Sequence, residues 1–161
     1  MKSRHTLKMA LVETMVTNYK NNQLQAIETS PTHPMAFDAT AAHFSLQQLK
    51  SFIHTIETEV ARHAEIPVDQ LGIRFYYAAY PSENNWQNEE NAEIAMVDSR
   101  YAKLHTLIAV PTIEIKGVVH DFDPFDSSTY TGVKPAGTDV VVMAQNHGGL
   151  FPPKSLEGAW F

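Results

Sequence analysis

Between residues 45 and 80 the spacing of apolar side chains changes period, and that change restricts the fold more than any other feature of the chain. Leu46, Leu49, Ile53, Ile56 and Val60 recur at three- and four-residue steps with Phe52 beside them. That spacing lays an apolar stripe along one face of a helix, while Gln47, Lys50, Glu57 and Glu59 face away. Ser45 stands at the N-cap with Gln48 three residues on, the pair that forms a capping box, and Phe44 precedes them as a hydrophobic staple. Pro67 ends the helix. From Leu71 the period is two: Ile73, Phe75 and Tyr77 share one face of a strand, and Arg74, Tyr76 and Tyr80 the other, up to Pro81.

The flanking segments extend this frame. Leu7, Leu11 and Met15 recur at four-residue steps, so a first amphipathic helix is expected, ending near Asn21-Asn22 because asparagine favours caps and turns. Residues 28–43 hold Pro31 and Pro34 and read as a connecting loop. A polar loop from Ser82 to about Asn91 surrounds Trp86. Leu104–Val110 predicts a second strand closed by Pro111, and Ile113–Val119 a third with Gly117 at a bulge or turn. The apolar run Val140–Met143 fits a buried strand, and a Gly- and Pro-rich tail begins at Asn146 and ends Trp160-Phe161. Helices followed by consecutive strands define an α+β class: two N-terminal amphipathic helices packed on one face of a small, mainly antiparallel sheet of about three to five strands. The 161 residues are read as one domain, with a helical part over about 5–65, a sheet part over about 71–145 and an irregular tail over 146–161.

Composition narrows the function classes. The chain contains no cysteine, which removes disulfides, thiolate metal sites and a cysteine nucleophile and fits a reducing compartment. The formal net charge is −6; the basic residues near the start (Lys2, Arg4, Lys8, Lys20) form no contiguous footprint, and nucleic-acid binding is not expected. The stretch Leu7–Val16 is broken by Lys8, Glu13 and Thr14, unlike a signal-peptide core, and no apolar run approaches the ~20 residues of a membrane span. A soluble protein of the cytoplasm, without a membrane partner, is the resulting expectation.

Four phrases occur in order: Phe44-Ser-Leu-Gln-Gln-Leu49, Leu71-Gly-Ile-Arg-Phe-Tyr-Tyr-Ala-Ala-Tyr-Pro81, His105-Thr-Leu-Ile-Ala-Val-Pro-Thr112 and Asn146-His-Gly-Gly-Leu-Phe-Pro-Pro153. Over roughly residues 44–153 they resemble a group of small bacterial proteins with no assigned function. The resemblance implies one domain and a bacterial cytoplasmic setting, and it supplies no catalytic residues to carry over.

Several clusters are chemically capable. His120, Asp121, Asp123 and Asp126, together with His147, combine the carboxylate oxygens and imidazole that a divalent metal takes as ligands. They lack the central glycine and closing glutamate of an EF-hand loop, and an acidic surface turn built on Asp and Pro is the simpler reading. The turn Asn146-His-Gly-Gly149 offers backbone N–H groups, including that of Gly148, for an anion beside an imidazole, or simply reverses the chain. No Gly-x-Ser-x-Gly elbow accompanies it. Arg74, Tyr76 and Tyr80, with His105 on the neighbouring strand, could clamp a carboxylate or phosphate against aromatic rings; an ordinary solvated sheet face is the alternative. Trp86 and Trp160-Phe161 place large aromatics in polar or terminal settings, as at exposed interfaces or lids; terminal aromatics folded back into a core are the alternative. His33, His43, His54 and His63 are read as solvated, since His54 and His63 are too widely spaced for a helical metal pair.

No complete catalytic set is present. The expected function is therefore a non-catalytic binding or interaction domain that self-associates through its sheet or aromatic tail. Two alternatives stand beside it: a metal-binding domain or metal-assisted hydrolase on His120, Asp121, Asp123 and His147, and a small-molecule pocket on the sheet face of Arg74, Tyr76 and Tyr80.

Overall fold

Ser45 caps the principal helix as its sequence requires. Its hydroxyl accepts from the backbone N–H of Gln48 at 3.1 Å, and the Gln48 side chain accepts from the backbone N–H of Ser45 at 2.9 Å. In the computed structural model, which describes residues 6–31, 37–86, 94, 97–136, 140–146 and 149–151, this helix (α3) spans Leu46–His63. It belongs to the larger of two compact units, His43–Gly149; the other comprises Met1–Ala42 with Leu150–Phe161. The architecture is α+β.

In the first unit a continuous helical run passes from α1 (Met9–Tyr19) through a π-helical turn, Lys20–Leu24, into α2 (Gln25–Glu28). The stop expected at Asn21-Asn22 does not occur. Asn22 donates its side-chain amide to the carbonyl of Asn18 at 2.7 Å, one turn back, so it is held inside the helix instead of capping it. The ladder widens to π spacing across the pair. None of the α1 residues is buried, and Leu11 and Met15 of its apolar stripe are exposed. Two short strands, β1 (Ala41–His43) and β5 (Gly149–Phe151), pair as a two-stranded sheet.

The second unit is built on a three-stranded antiparallel sheet of β2 (Leu71–Ala79), β3 (His105–Ile115) and β4 (Val118–Asp121), with β3 central. Lys116 and Gly117 join β3 to β4 with φ of 52° and 80°, the left-handed pair of a type I′ hairpin turn, so Gly117 serves the turn. Phe52, Ile56 and Val60 of α3 form the core with Ala109 and Ile113 of β3 and Phe122. Each fully buried side chain of this size stabilises the fold by roughly 1.5–3 kcal/mol relative to exposure. The buried stripe is narrower than the sequence pattern: Leu46 and Ile53 lie outside it and are exposed, because one sheet face covers only the i, i+4, i+8 ridge of the helix. Phe44 contacts the Phe75 ring at a centroid distance of 6.3 Å.

Two strand expectations are corrected. β3 does not close at Pro111; it runs through Pro111, which is paired opposite Ile73 and fully buried. The carbonyl of Pro111 accepts from Phe122 N–H at 3.1 Å, so Pro111 faces the β4 side, where β4 has just ended at Asp121. The missing proline N–H therefore costs no strand pairing, which is why a central strand tolerates it. Val140–Met143 forms no strand, and Val140, Val141 and Val142 are exposed. Pairing returns only at Gln145, whose N–H and carbonyl each bond Ala109 at 2.9 Å.

Candidate functional site

Those corrections define the site. On the free side of β3, β4 departs at Asp121, and the returning segment rejoins only at Gln145 opposite Ala109. The chain between them leaves a fork. A cavity of about 600 Å³ occupies it, with Val110, Phe122, Val140 and Val142 supplying apolar surface and Tyr76, His120, Asp121, Asp123 and Lys134 supplying polar groups. The volume lies within the range of about 300–1,000 Å³ typical of ligand pockets.

The register explains how Tyr76, Val110 and Asp121 reach it. Arg74 pairs opposite Val110 and Asp121 opposite Thr112, so Arg74, Tyr76, Val110 and Asp121 share one sheet face. Ala109 and Ile113 lie on the other face, against α3. Arg74 Nη1 donates to Asp121 Oδ1 at 2.6 Å and to the Tyr76 hydroxyl at 3.3 Å, while Nη2 donates to the Val119 carbonyl at 3.0 Å. The Tyr76 hydroxyl donates in turn to Asp121 Oδ2. The guanidinium carbon stands 5.9 Å from the Tyr76 ring centroid. The bond to Tyr76 first, and the Asp121 charge after it, hold Arg74 above its ordinary pKa. The Arg74 and Asp121 side chains are both about a third exposed, so this pair stabilises the fold only modestly. Its consequence is orientation: three side chains from two strands are fixed against one another.

The loop after β4 is organised by its own carboxylates. Asp123 is 6% exposed, and its Oδ1 accepts from Phe125 N–H at 3.1 Å. The backbone N–H of Asp123 donates to buried Thr129 Oγ1 at 2.9 Å. Asp126 caps the 3₁₀ turn Ser127–Thr131 by accepting from Ser128 N–H at 3.0 Å, and its bonds to Ser128 hold its carboxyl below the usual range. Tyr130 donates to the Pro124 carbonyl at 2.8 Å and meets Phe122 edge-on. Gly132 ends the turn at φ +78°, and a Cβ there would stand 2.7 Å from His120 Nδ1. No sequence motif marked Gly132, yet it seats the His120 ring.

The cavity thus gathers residues from two separate sequence clusters: Tyr76, with its partner Arg74, from one, and His120, Asp121 and Asp123 from the other. Asp126 does not line it. Among the described residues no three His, Asp or Glu side chains are placed to hold a metal ion; His147 and Gly148 lie outside the described residues, as do Trp160 and Phe161. Tyr80 and Asn146 meet each other elsewhere. The Tyr80 hydroxyl donates to the Asn146 carbonyl at 3.3 Å, and Asn146 Oδ1 accepts from Thr106 at 2.9 Å. Burial raises the Tyr80 pKa. Trp86, expected at an exposed position, is buried against Tyr80 at 5.5 Å and donates to the Val97 carbonyl. His105 pairs opposite Ala79 at the far end of the ladder, on the face of Ala109.

No family model, curated protein or solved structure matches this chain. Among the described residues no helix is long and apolar enough to cross a membrane.

Proposed function

We propose that this protein is a non-catalytic small-molecule-binding domain whose site is the cavity at the sheet fork. The observation that carries this reading is the convergence of Tyr76, Val110, His120, Asp121 and Asp123 on one cavity of about 600 Å³. Apolar walls with a few oriented polar groups are the ordinary composition of a ligand site. The Arg74–Asp121–Tyr76 network pre-orders the polar rim, so binding costs little side-chain entropy there. A binding role fits better than catalysis because Asp121 is already held by Arg74 and Tyr76.

The test is a thermal-shift screen with neutral and charged fragments, repeated on Val140→Trp, which fills the cavity from its rim. Binding that raises Tm in the native chain and vanishes in Val140→Trp supports the site, since a ligand preferring the folded state must stabilise it. A fragment set that moves neither protein, or moves both alike, refutes it.

Self-association is a second reading, favoured by the exposure of Phe75 and Tyr77 on β2, the latter 89% exposed. Light scattering across concentration tests it: a strict monomer whose mass is unchanged in Tyr77→Ser counts against it.

A further inference from the structure

We propose that the cavity accepts a small zwitterion with an apolar body, of the chemical class of a free apolar α-amino acid. This rests on the cavity being a binding pocket and goes on to name its occupant.

The charged groups at the cavity fall into two sets. Arg74 and Asp121 satisfy each other at 2.6 Å, with the Tyr76 hydroxyl on the second carboxylate oxygen, so together they present no net charge to a ligand. Lys134 and Asp123 also line the cavity, and among the described residues neither forms an ion pair. Two residues of opposite charge therefore line one space, and no ion pair joins them among the described residues.

Their surroundings differ in a way that assigns each a partner. Asp123 is 6% exposed, and Phe125 N–H is the one hydrogen-bond donor on its carboxylate among the described residues. An ionised carboxylate has about four acceptor positions, and the second Asp123 oxygen is not among the described side-chain atoms shut off from solvent without a partner, so it stays open to a donor. An ammonium group inside the cavity supplies what the loop does not. Lys134 is exposed at the same cavity, where an ammonium can meet a carboxylate without first being desolvated. Val110, Phe122, Val140 and Val142 then face the remaining, apolar part of the ligand.

Charge balance points the same way. The cations Arg74 and Lys134 offset the carboxylates Asp121 and Asp123, so a ligand without net charge leaves the site neutral. A simple carboxylate would leave the buried Asp123 charge uncompensated, and a simple amine would leave Lys134 unused. A zwitterion uses both.

Calorimetric titration of the full chain with L-phenylalanine, 3-phenylpropionate and 2-phenylethylamine tests this, since the three share a ring and differ only in charged groups. Phenylalanine should bind most tightly, each analogue about tenfold or more weakly for the loss of one charge-assisted contact. Asp123→Asn, which keeps the acceptor for Phe125 N–H, should weaken phenylalanine and phenylethylamine but not phenylpropionate. Lys134→Gln, at an exposed position, should weaken phenylalanine and phenylpropionate but not phenylethylamine. If either analogue matches phenylalanine, or if Lys134→Gln leaves phenylalanine binding unchanged, the zwitterion assignment falls while the pocket stands. If none of the three binds, the assignment also falls, and the pocket falls with it only where the neutral fragments fail as well.

Discussion

Gly132→Ala should destabilise the protein through two separable effects, both read from one position. Gly132 has φ of +78°, and a Cβ built there meets His120 Nδ1 at 2.7 Å and Cγ at 2.8 Å. An L-residue in the left-handed region costs about 1–2 kcal/mol. The ring cannot stay where it is, and driving a side chain off its rotamer by about 30° costs about 0.5–1.5 kcal/mol more. The sum, about 1.5–3.5 kcal/mol, corresponds to a fall in Tm of roughly 3–14 °C for a chain of this length. Urea denaturation followed by circular dichroism measures it, and a double-mutant cycle with His120→Ala separates the terms. In the His120→Ala background the alanine at 132 has no ring to meet, so only the backbone cost of about 1–2 kcal/mol should remain. The reasoning fails if Gly132→Ala melts with the native protein, or if the penalty is the same whether or not the imidazole is present.

Three further outcomes are expected. Ser45→Ala removes the hydroxyl that accepts from Gln48 N–H and should lower stability by about 1 kcal/mol in denaturant titration; Ser45→Asp should retain most of it. Ile56→Ala empties part of the α3–sheet core, where Ile56 is buried, and should cost about 2–5 kcal/mol by the same assay. Burial raises the pKa of both Tyr80 and Tyr130, with Asp123 and Glu59 adding to the effect at Tyr130. The folded state therefore holds those phenolic protons after the unfolded state has begun to lose them. Their contribution is complete below the unfolded tyrosine value of about 10, and is lost as pH rises through the folded values. Absorbance titration near 295 nm should show a late ionising phase among the six tyrosines, diminished by Tyr80→Phe and by Tyr130→Phe; a single early phase would contradict it.

What could be read from the sequence was whatever is decided locally. The Ser45–Gln48 capping box, the strand at Leu71–Ala79 and the turn at Gly117 each depend on residues within a few positions of one another. Failures came where a distant partner decides. Asn21-Asn22 carries a turn signal, but Asn22 finds its acceptor one helical turn back and the helix continues. Pro111 carries a strand-end signal that is cancelled because β4 leaves β3 at that residue. Val140–Met143 has the composition of a buried strand, yet no strand pairs with it among the described residues. The candidate site was half legible for the same reason. Asp121 and Arg74 each stood out as charged groups in suggestive company, but 47 residues separate them. Only the register of β2, β3 and β4 makes them one site.

Pro111 also explains why a cavity can exist there at all. Separating two strands ordinarily strands backbone donors and acceptors, which is costly away from water. Along β3, alternate residues direct their backbone groups to opposite sides. Val110 and Thr112, paired opposite Arg74 and Gly72, turn theirs toward β2. On the fork side the Ala109 N–H and carbonyl are taken by Gln145, and the Pro111 carbonyl by Phe122. The one remaining group on that edge would be the N–H of residue 111, and proline has none. The fork therefore opens without leaving a backbone donor or acceptor of Ala109 or Pro111 unmade, and the wall it presents at Val110 is apolar. Polar recognition must then come from side chains placed around that wall: Arg74, Tyr76 and Asp121, bonded to each other, and Lys134 and Asp123, neither of which forms an ion pair among the described residues.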